Sequence, residues 1–220
     1  MHSLNREQLP CESRGPTRST APASDGPGPN AAREPDALPL CAKETFVKDG
    51  PRSRTVTWAD PKPGARRARE MSGSEFFDQM RRGKINAPPF VHLLGMEVFD
   101  AGEGRFAMTL DPQECHYNPM GCVHGGVLST LLDSVMSAAV HTAMPAGRGY
   151  MTLEIKVNFI RPVFVGTGLV MAEGTVVSCG RHVATAEGRI IDVNQRLLST
   201  GTATCLLFDM PRDGGAEKER

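Results

Sequence analysis

The chain has 220 residues, with 25 basic and 25 acidic side chains and a formal net charge of zero. That balance gives no electrostatic reason to expect nucleic acid or an anionic membrane as the main partner, and the length suits one domain or a small domain with a tail. The six cysteines (Cys11, Cys41, Cys115, Cys122, Cys179, Cys205) are scattered without a CxxC pair, and no secretory apolar run opens the sequence. They read as reduced thiols of a cytoplasmic protein.

Residues 1–70 are rich in Pro, Gly, Ser, Thr and Arg and hold no sustained helical or strand period. Isolated apolar residues such as Leu38, Phe46, Val56 and Trp58 cannot enclose a core, so the reading is a disordered N-terminal extension. Its acidic residues, among them Glu7, Glu12 and Glu34, argue against an organelle transit peptide. The run Arg66-Arg67-Ala68-Arg69 reads as a solvated linker, with a nucleic-acid or targeting patch as the weaker alternative. Met71 opens sequence of another kind and is a candidate true start.

From there a folded domain is expected over residues 71–208. Ser72 or Ser74 can cap a short helix running from Glu75 to Arg81, with acids in its first turn. Pro88-Pro89 starts a second short helix through Leu94, closed by Gly95. Strands are predicted over Met96–Phe99 and Arg105–Leu110. A helix opening at Gly125-Gly126 runs to about Met144, where Pro145 and Gly147 stop it. Its apolar residues (Val127, Leu128, Leu131, Leu132, Val135, Met136, Ala139, Val140, Ala143) cover most of its circumference, so the helix should be enclosed on nearly all sides. It is too short and too polar to span a bilayer.

After it, Tyr150–Arg161 alternates as a strand. Met151, Leu153, Ile155, Val157 and Phe159 should face one way and Thr152, Glu154, Lys156 and Asn158 the other. Strands over Leu169–Val177, His182–Val193 and Arg196–Phe208 follow, joined by turns at Ser178–Arg181 and Asn194-Gln195. Residues 209–220 read as a polar C-terminal tail. An antiparallel sheet with one apolar face laid over one long helix makes the fold class α+β.

Asp133 stands in the middle of that apolar helix. A carboxylate there is costly to bury, so it needs a partner or a chemical task. The glycines at the helix start permit close approach, and the free N–H groups and positive end of the dipole collect negative charge. A carbonyl placed at Gly125 is polarised and its developing oxyanion stabilised. Asp133 can then activate water as a general base or attack directly. The cluster Cys115, His116, Cys122 and His124 lacks the spacing of a zinc finger or ribbon, and no metal is expected.

The pattern His116-x-Asn118-x-x-Gly121-x-x-His124-Gly125-Gly126, with Asp133 following, resembles the PaaI-like branch of the hotdog-fold acyl-CoA thioesterases. Asn158-Phe159-Ile160-Arg161-Pro162 and Gly201-Thr202-Ala203-Thr204 resemble it too. The resemblance implies an antiparallel sheet wrapped around one long central helix, and hydrolysis of acyl-CoA thioesters without a cofactor. It also implies a homodimer or homotetramer with sites at the subunit interface. It assigns Asn118 to positioning the carbonyl or water, His124 to holding the loop, Gly121 and Gly126 to substrate binding, and Thr152 to the neighbourhood of the attacking water. The bland readings stay beside these: Asn118 before Pro119 suits a turn, His124 can be structural, and Thr152 is a β-former. A non-catalytic acyl-CoA-binding module and a hotdog dehydratase are the competing functions.

Gly125 and Asp133 lie eight positions apart on one helix, roughly 12 Å at 1.5 Å per residue. One thioester carbon cannot touch both. The site is therefore expected to combine Gly125 of one subunit with Asp133 of another, leaving a monomer inactive.

Overall fold

Helices and strands end where local chemistry stops them. The computed structural model describes residues 50–210, and the expectations for residues 1–49 and 211–220 lie outside the described residues. The elements run α1 (Lys62–Glu70), α2 (Gly73–Arg81), α3 (Pro89–Leu94), β1 (Met96–Gly102), β2 (Arg105–Leu110), α4 (Gly125–Thr142), β3 (Arg148–Phe159), β4 (Val170–Cys179), β5 (Val183–Asp192) and β6 (Leu197–Asp209). The Ser72 hydroxyl caps α2 by accepting the Glu75 N–H at 3.3 Å, satisfying one of the amides that a helix start leaves unpaired. Asp192 closes the β5–β6 turn by accepting the N–H groups of Asn194 and Arg196, each at 2.9 Å.

The six strands form one antiparallel sheet in the order β1-β2-β4-β5-β6-β3. β3 directly follows α4 in the chain yet lies at the far edge, so the chain crosses the whole sheet between β2 and β3. The sheet wraps α4, whose Leu131, Leu132, Val135, Met136 and Val140 have no exposed surface. Burying each such side chain contributes roughly 1.5–3 kcal/mol.

A row of glycines lets α4 come this close. Gly174, Gly188 and Gly201 are successive ladder partners across β4, β5 and β6. A Cβ at Gly174 would fall on the Val135 carbonyl, one at Gly188 would meet Met136 Cγ at 2.9 Å, and one at Gly201 would meet Met136 Cε at 3.3 Å. A side chain at Gly174 would press on the helix backbone, whereas at Gly188 and Gly201 the Met136 side chain would have to give way.

The far end of α4 is closed by α2. The Phe77 ring packs on Phe106 at 4.5 Å and on the buried His141 at 5.4 Å, and Tyr150 meets His141 from β3 at 5.3 Å. Burial among these rings lowers the His141 pKa to about 4, so the imidazole is neutral at physiological pH.

Three expectations need correction. Residues 62–70 are not a structureless linker: they form α1, whose Arg67 donates to Gln79 on α2 at 2.8 Å. The Arg69 carbonyl also accepts the Gly147 N–H at 3.0 Å. Polarity alone hid a helix that is held by neighbours rather than by a core of its own. The enclosure of α4 is also incomplete. Every residue from Val135 to Thr142 is buried, but Val127, Ser129, Thr130, Asp133 and Ser134 are only partly covered.

The third correction concerns β3. A bulge between Thr152 and Glu154 inserts Leu153 as an extra residue, which reverses the inside–outside alternation. Tyr150 and Thr152 therefore share the helix-facing side with Ile155 and Val157, while Met151 and Leu153 stand exposed. Strict period-two counting had put Thr152 on the opposite face from Ile155.

Candidate active site

The helix start is built by its own preceding loop. The Asn118 side-chain oxygen accepts the Met120 N–H at 2.8 Å and the Cys122 N–H at 3.4 Å. The Asn118 amide nitrogen lies on Cys122 Sγ at 3.4 Å. Asn118 thus organises the turn that carries Gly121, whose φ of +76° is left-handed. The His116 carbonyl then receives the His124 N–H at 2.7 Å, and Val163 receives the Val123 N–H at 2.8 Å. These bonds pin both ends of the turn to the framework.

His124 is the N-cap of α4. Its Nδ1 accepts the Gly126 N–H at 2.8 Å, which requires that nitrogen to be unprotonated. Val127 donates back to the His124 carbonyl at 2.9 Å. The Gly125 N–H has no acceptor among the described residues. So the amide left for a ligand is that of Gly125, while that of Gly126 is taken by His124. The ring of Phe159, at the end of β3, sits against this glycine: a Cβ on Gly125 would meet Phe159 Cζ at 2.9 Å.

Two turns along the helix, Thr152 Oγ1 donates to Asp133 Oδ1 at 2.9 Å. The hydroxyls of Thr130 and Ser134 are satisfied within the helix, on the Gly126 carbonyl at 2.9 Å and the Thr130 carbonyl at 2.7 Å. Asp133 is the polar side chain of this stripe that reaches across to the sheet. Behind it the wall is buried: Cys205 is the ladder partner of Thr152 and has no exposed surface. Burial, with the Asp133 charge nearby, pushes the Cys205 thiol and the Tyr150 phenol above their ordinary pKa ranges. Both groups are neutral, the phenol hydrogen-bonded to Ser137 and the thiol to Thr152.

The structure thus gathers His124, Gly125 and Gly126 at the helix start, with Asn118 and Gly121 in the loop leading to it. It joins Asp133 to Thr152 separately, eight positions along the same helix. Phe159, Cys205 and Tyr150 were not singled out as site residues in the sequence. Phe159 lies within the Asn158–Pro162 stretch that carries the resemblance, whereas Cys205 and Tyr150 left no local signal. Among the described residues no group of three or more His, Cys, Asp or Glu could hold a metal ion, and no helix is long and apolar enough to cross a membrane.

Residues 120–199 match the family model described as the thioesterase superfamily. A provisionally named esterase of Halobacterium salinarum is 31% identical over 103 residues, covering 44% of this chain and 66% of its own. The 1,4-dihydroxy-2-naphthoyl-CoA hydrolase of Listeria monocytogenes is 25% identical over 111 residues, covering 50% of this chain and 89% of its own. Among solved structures, a phenylacetic acid degradation-related protein of Ralstonia eutropha is 28% identical with a TM-score of 0.54, covering 59% of this chain and 98% of that one. The chain spans just under two thirds of the length of the two curated relatives it matches at 31% identity, 66% and 64%. Family match and architecture agree: residues 120–199 match the thioesterase superfamily, and the described domain has the hotdog fold of that superfamily's solved members.

Proposed function

We propose that this chain hydrolyses acyl-CoA thioesters to the free acid and CoA, with Asp133 as the base. The observation that carries the reading is the Thr152–Asp133 hydrogen bond on the open half of an otherwise apolar helix. The bond holds the carboxylate in place and occupies Oδ1, leaving Oδ2 to take a proton from water. The water oxygen attacks the thioester carbon, and the carbonyl oxygen gathers negative charge against the Gly125 N–H at the positive end of α4. The carbon–sulfur bond then breaks, and the proton held by Asp133 passes to the departing sulfur. Direct attack by Asp133 would give the same products through an anhydride. CoA as the thiol is supported by the Listeria relative, whose name specifies a CoA thioester. The four described cysteines are free thiols, which supports a reducing cytoplasmic setting.

The site is shared between two copies. Some 12 Å of helix separates Gly125 from Asp133 in one chain, so the Gly125 amide that serves Asp133 comes from a partner. β3 is suited to bring that partner: it is an edge strand with Met151 and Leu153 exposed at 56% and 58%. An edge of that kind is a template for pairing with another strand.

Thiol release from a panel of acyl-CoAs tests the reaction; absence of turnover across the panel would refute it. Subunit mixing tests the shared site. Asp133→Asn and Gly125→Val chains should each be nearly inactive alone. Their mixture should recover about a quarter of wild-type activity, because half the dimers are mixed and each holds one intact site. The introduced valine must displace the Phe159 ring, so its melting curve is recorded alongside. Proven exchange with no recovered activity would place both residues in one chain's site.

A further inference from the structure

We propose that Arg52 and Arg54 are positioning residues for the start of α4, acting through the turn Glu114–His116 that precedes it. The inference rests on the proposed thioester site and adds an arginine strap that holds its amide in place. Residues 51–60 form neither helix nor strand, yet two of their side chains reach the same turn. Arg52 Nε donates to Glu114 Oε2 at 2.7 Å. Arg54 donates through Nη1 to Cys115 Sγ at 3.5 Å and through Nη2 to the His92 carbonyl at 3.3 Å. The same guanidinium lies over Gly95, where a Cβ would meet Nη2 at 3.0 Å. The strap thus ties the end of α3 to the turn, using the several donors that each guanidinium holds in a fixed fork.

From that turn the path to the site is short. His116, its last residue, is buried, and its Nδ1 accepts the Gln113 N–H at 3.1 Å. The His116 carbonyl accepts the His124 N–H at 2.7 Å. His124 in turn caps α4 through Gly126, which leaves the Gly125 amide for a ligand. An oxyanion donor is effective only where its position is fixed before the charge develops. The Arg52 and Glu114 side chains are 56% and 63% exposed, and exposed ion pairs add little to global stability. The strap therefore acts on the placement of the loop rather than on the melting temperature. Both arginines lie ahead of residues 120–199, so the family match does not account for them.

The test is a charge exchange in the full chain, read with hexanoyl-CoA and benzoyl-CoA. Arg52→Glu and Glu114→Arg should each lower kcat by about threefold with KM and melting temperature held, and the double variant should restore it. Arg54→Gln should lower kcat by a similar factor. An arginine that instead met the CoA phosphates would raise KM and gain nothing from the exchange, which would overturn the strap. Amide exchange followed by NMR reads the same contact without turnover. The His124 N–H should exchange about threefold faster in each single variant and recover in the double. The Leu207 N–H, bonded to the His182 carbonyl at 2.8 Å, should keep its rate. A His124 rate that never moves, or one matched by equal acceleration at Leu207, would also overturn the positioning role. A wild type that hydrolyses neither thioester, with His124 exchange still following the charges, would leave the strap standing and sink the proposed reaction instead.

Discussion

The two halves of α4 show how one helix can be both core and candidate active site. From Val135 to Thr142 every residue is buried, Ser137 and His141 included. From Gly125 to Ser134 only Leu128, Leu131 and Leu132 are, and the remainder forms a stripe of small and polar side chains. The buried half lies over the glycine row and under the aromatic rings of α2. The open half faces the edge strand β3. What differs between the halves is whether sheet and neighbouring helices close over them. The open half loses burial, and in exchange Asp133 stays within reach of water while its Oδ1 remains held by Thr152.

The sharpest way to separate the halves is to change one residue in each. Asp133→Asn should lower kcat by about a thousandfold, within the span typical for losing a general base, and leave the melting temperature in place. Near-normal turnover would show that the open half is not the reacting half. In the enclosed half, Gly174→Ala should do the reverse. Its methyl collides with the Val135 carbonyl and approaches Met136 N to 2.7 Å, both backbone positions that cannot swing aside. A loss of about 3 kcal/mol in urea unfolding is expected. Gly188→Ala, which meets the flexible Met136 side chain first, should cost less. Equal losses at the two glycines would mean that the helix shifts as a whole.

Acid should also find the enclosed half first. The folded protein holds His141 at about 4, whereas an unfolded histidine takes up its proton near pH 6.5. The unfolded state therefore binds more protons between those values. Stability is full above the unfolded pKa and is lost as pH falls from about 6.5 towards 4, by roughly 3 kcal/mol. Measured across that range, the unfolding free energy of the wild type should fall relative to that of His141→Phe by up to roughly 3 kcal/mol. A parallel pair of curves would remove His141 as the cause.

The smallest effect concerns the cover over the enclosed end. A chain beginning at Met71 lacks α1, with its Arg67–Gln79 bond and the Arg69 carbonyl that receives the Gly147 N–H. Compared with a chain beginning at Asp60, it should be less stable by about 1 kcal/mol, since the lost contacts are few and largely exposed. Identical melting of the two chains would mean that α1 rests on the domain without supporting it.

Much of the fold was legible because its signals are local. The Ser72 cap, Pro88-Pro89, Gly95, the limits of β2 and the turns after β4 and β5 each depend on a few consecutive residues. The candidate helix start and Asp133 were visible for the same reason: glycines opening an apolar helix and one carboxylate within it. Three features were decided only by tertiary structure. The bulge at Leu153 turns Thr152 towards Asp133, and one added residue reverses the parity of a strand without leaving a mark on its composition. The choice between the Gly125 and Gly126 amides follows from the orientation of the His124 ring. Contacts between residues far apart in the chain, Phe159 on Gly125 and the three glycines under Met136, exist because the sheet curls round the helix. Periodicity records which residues are apolar along one element; which element they meet is set by how the layers close on each other.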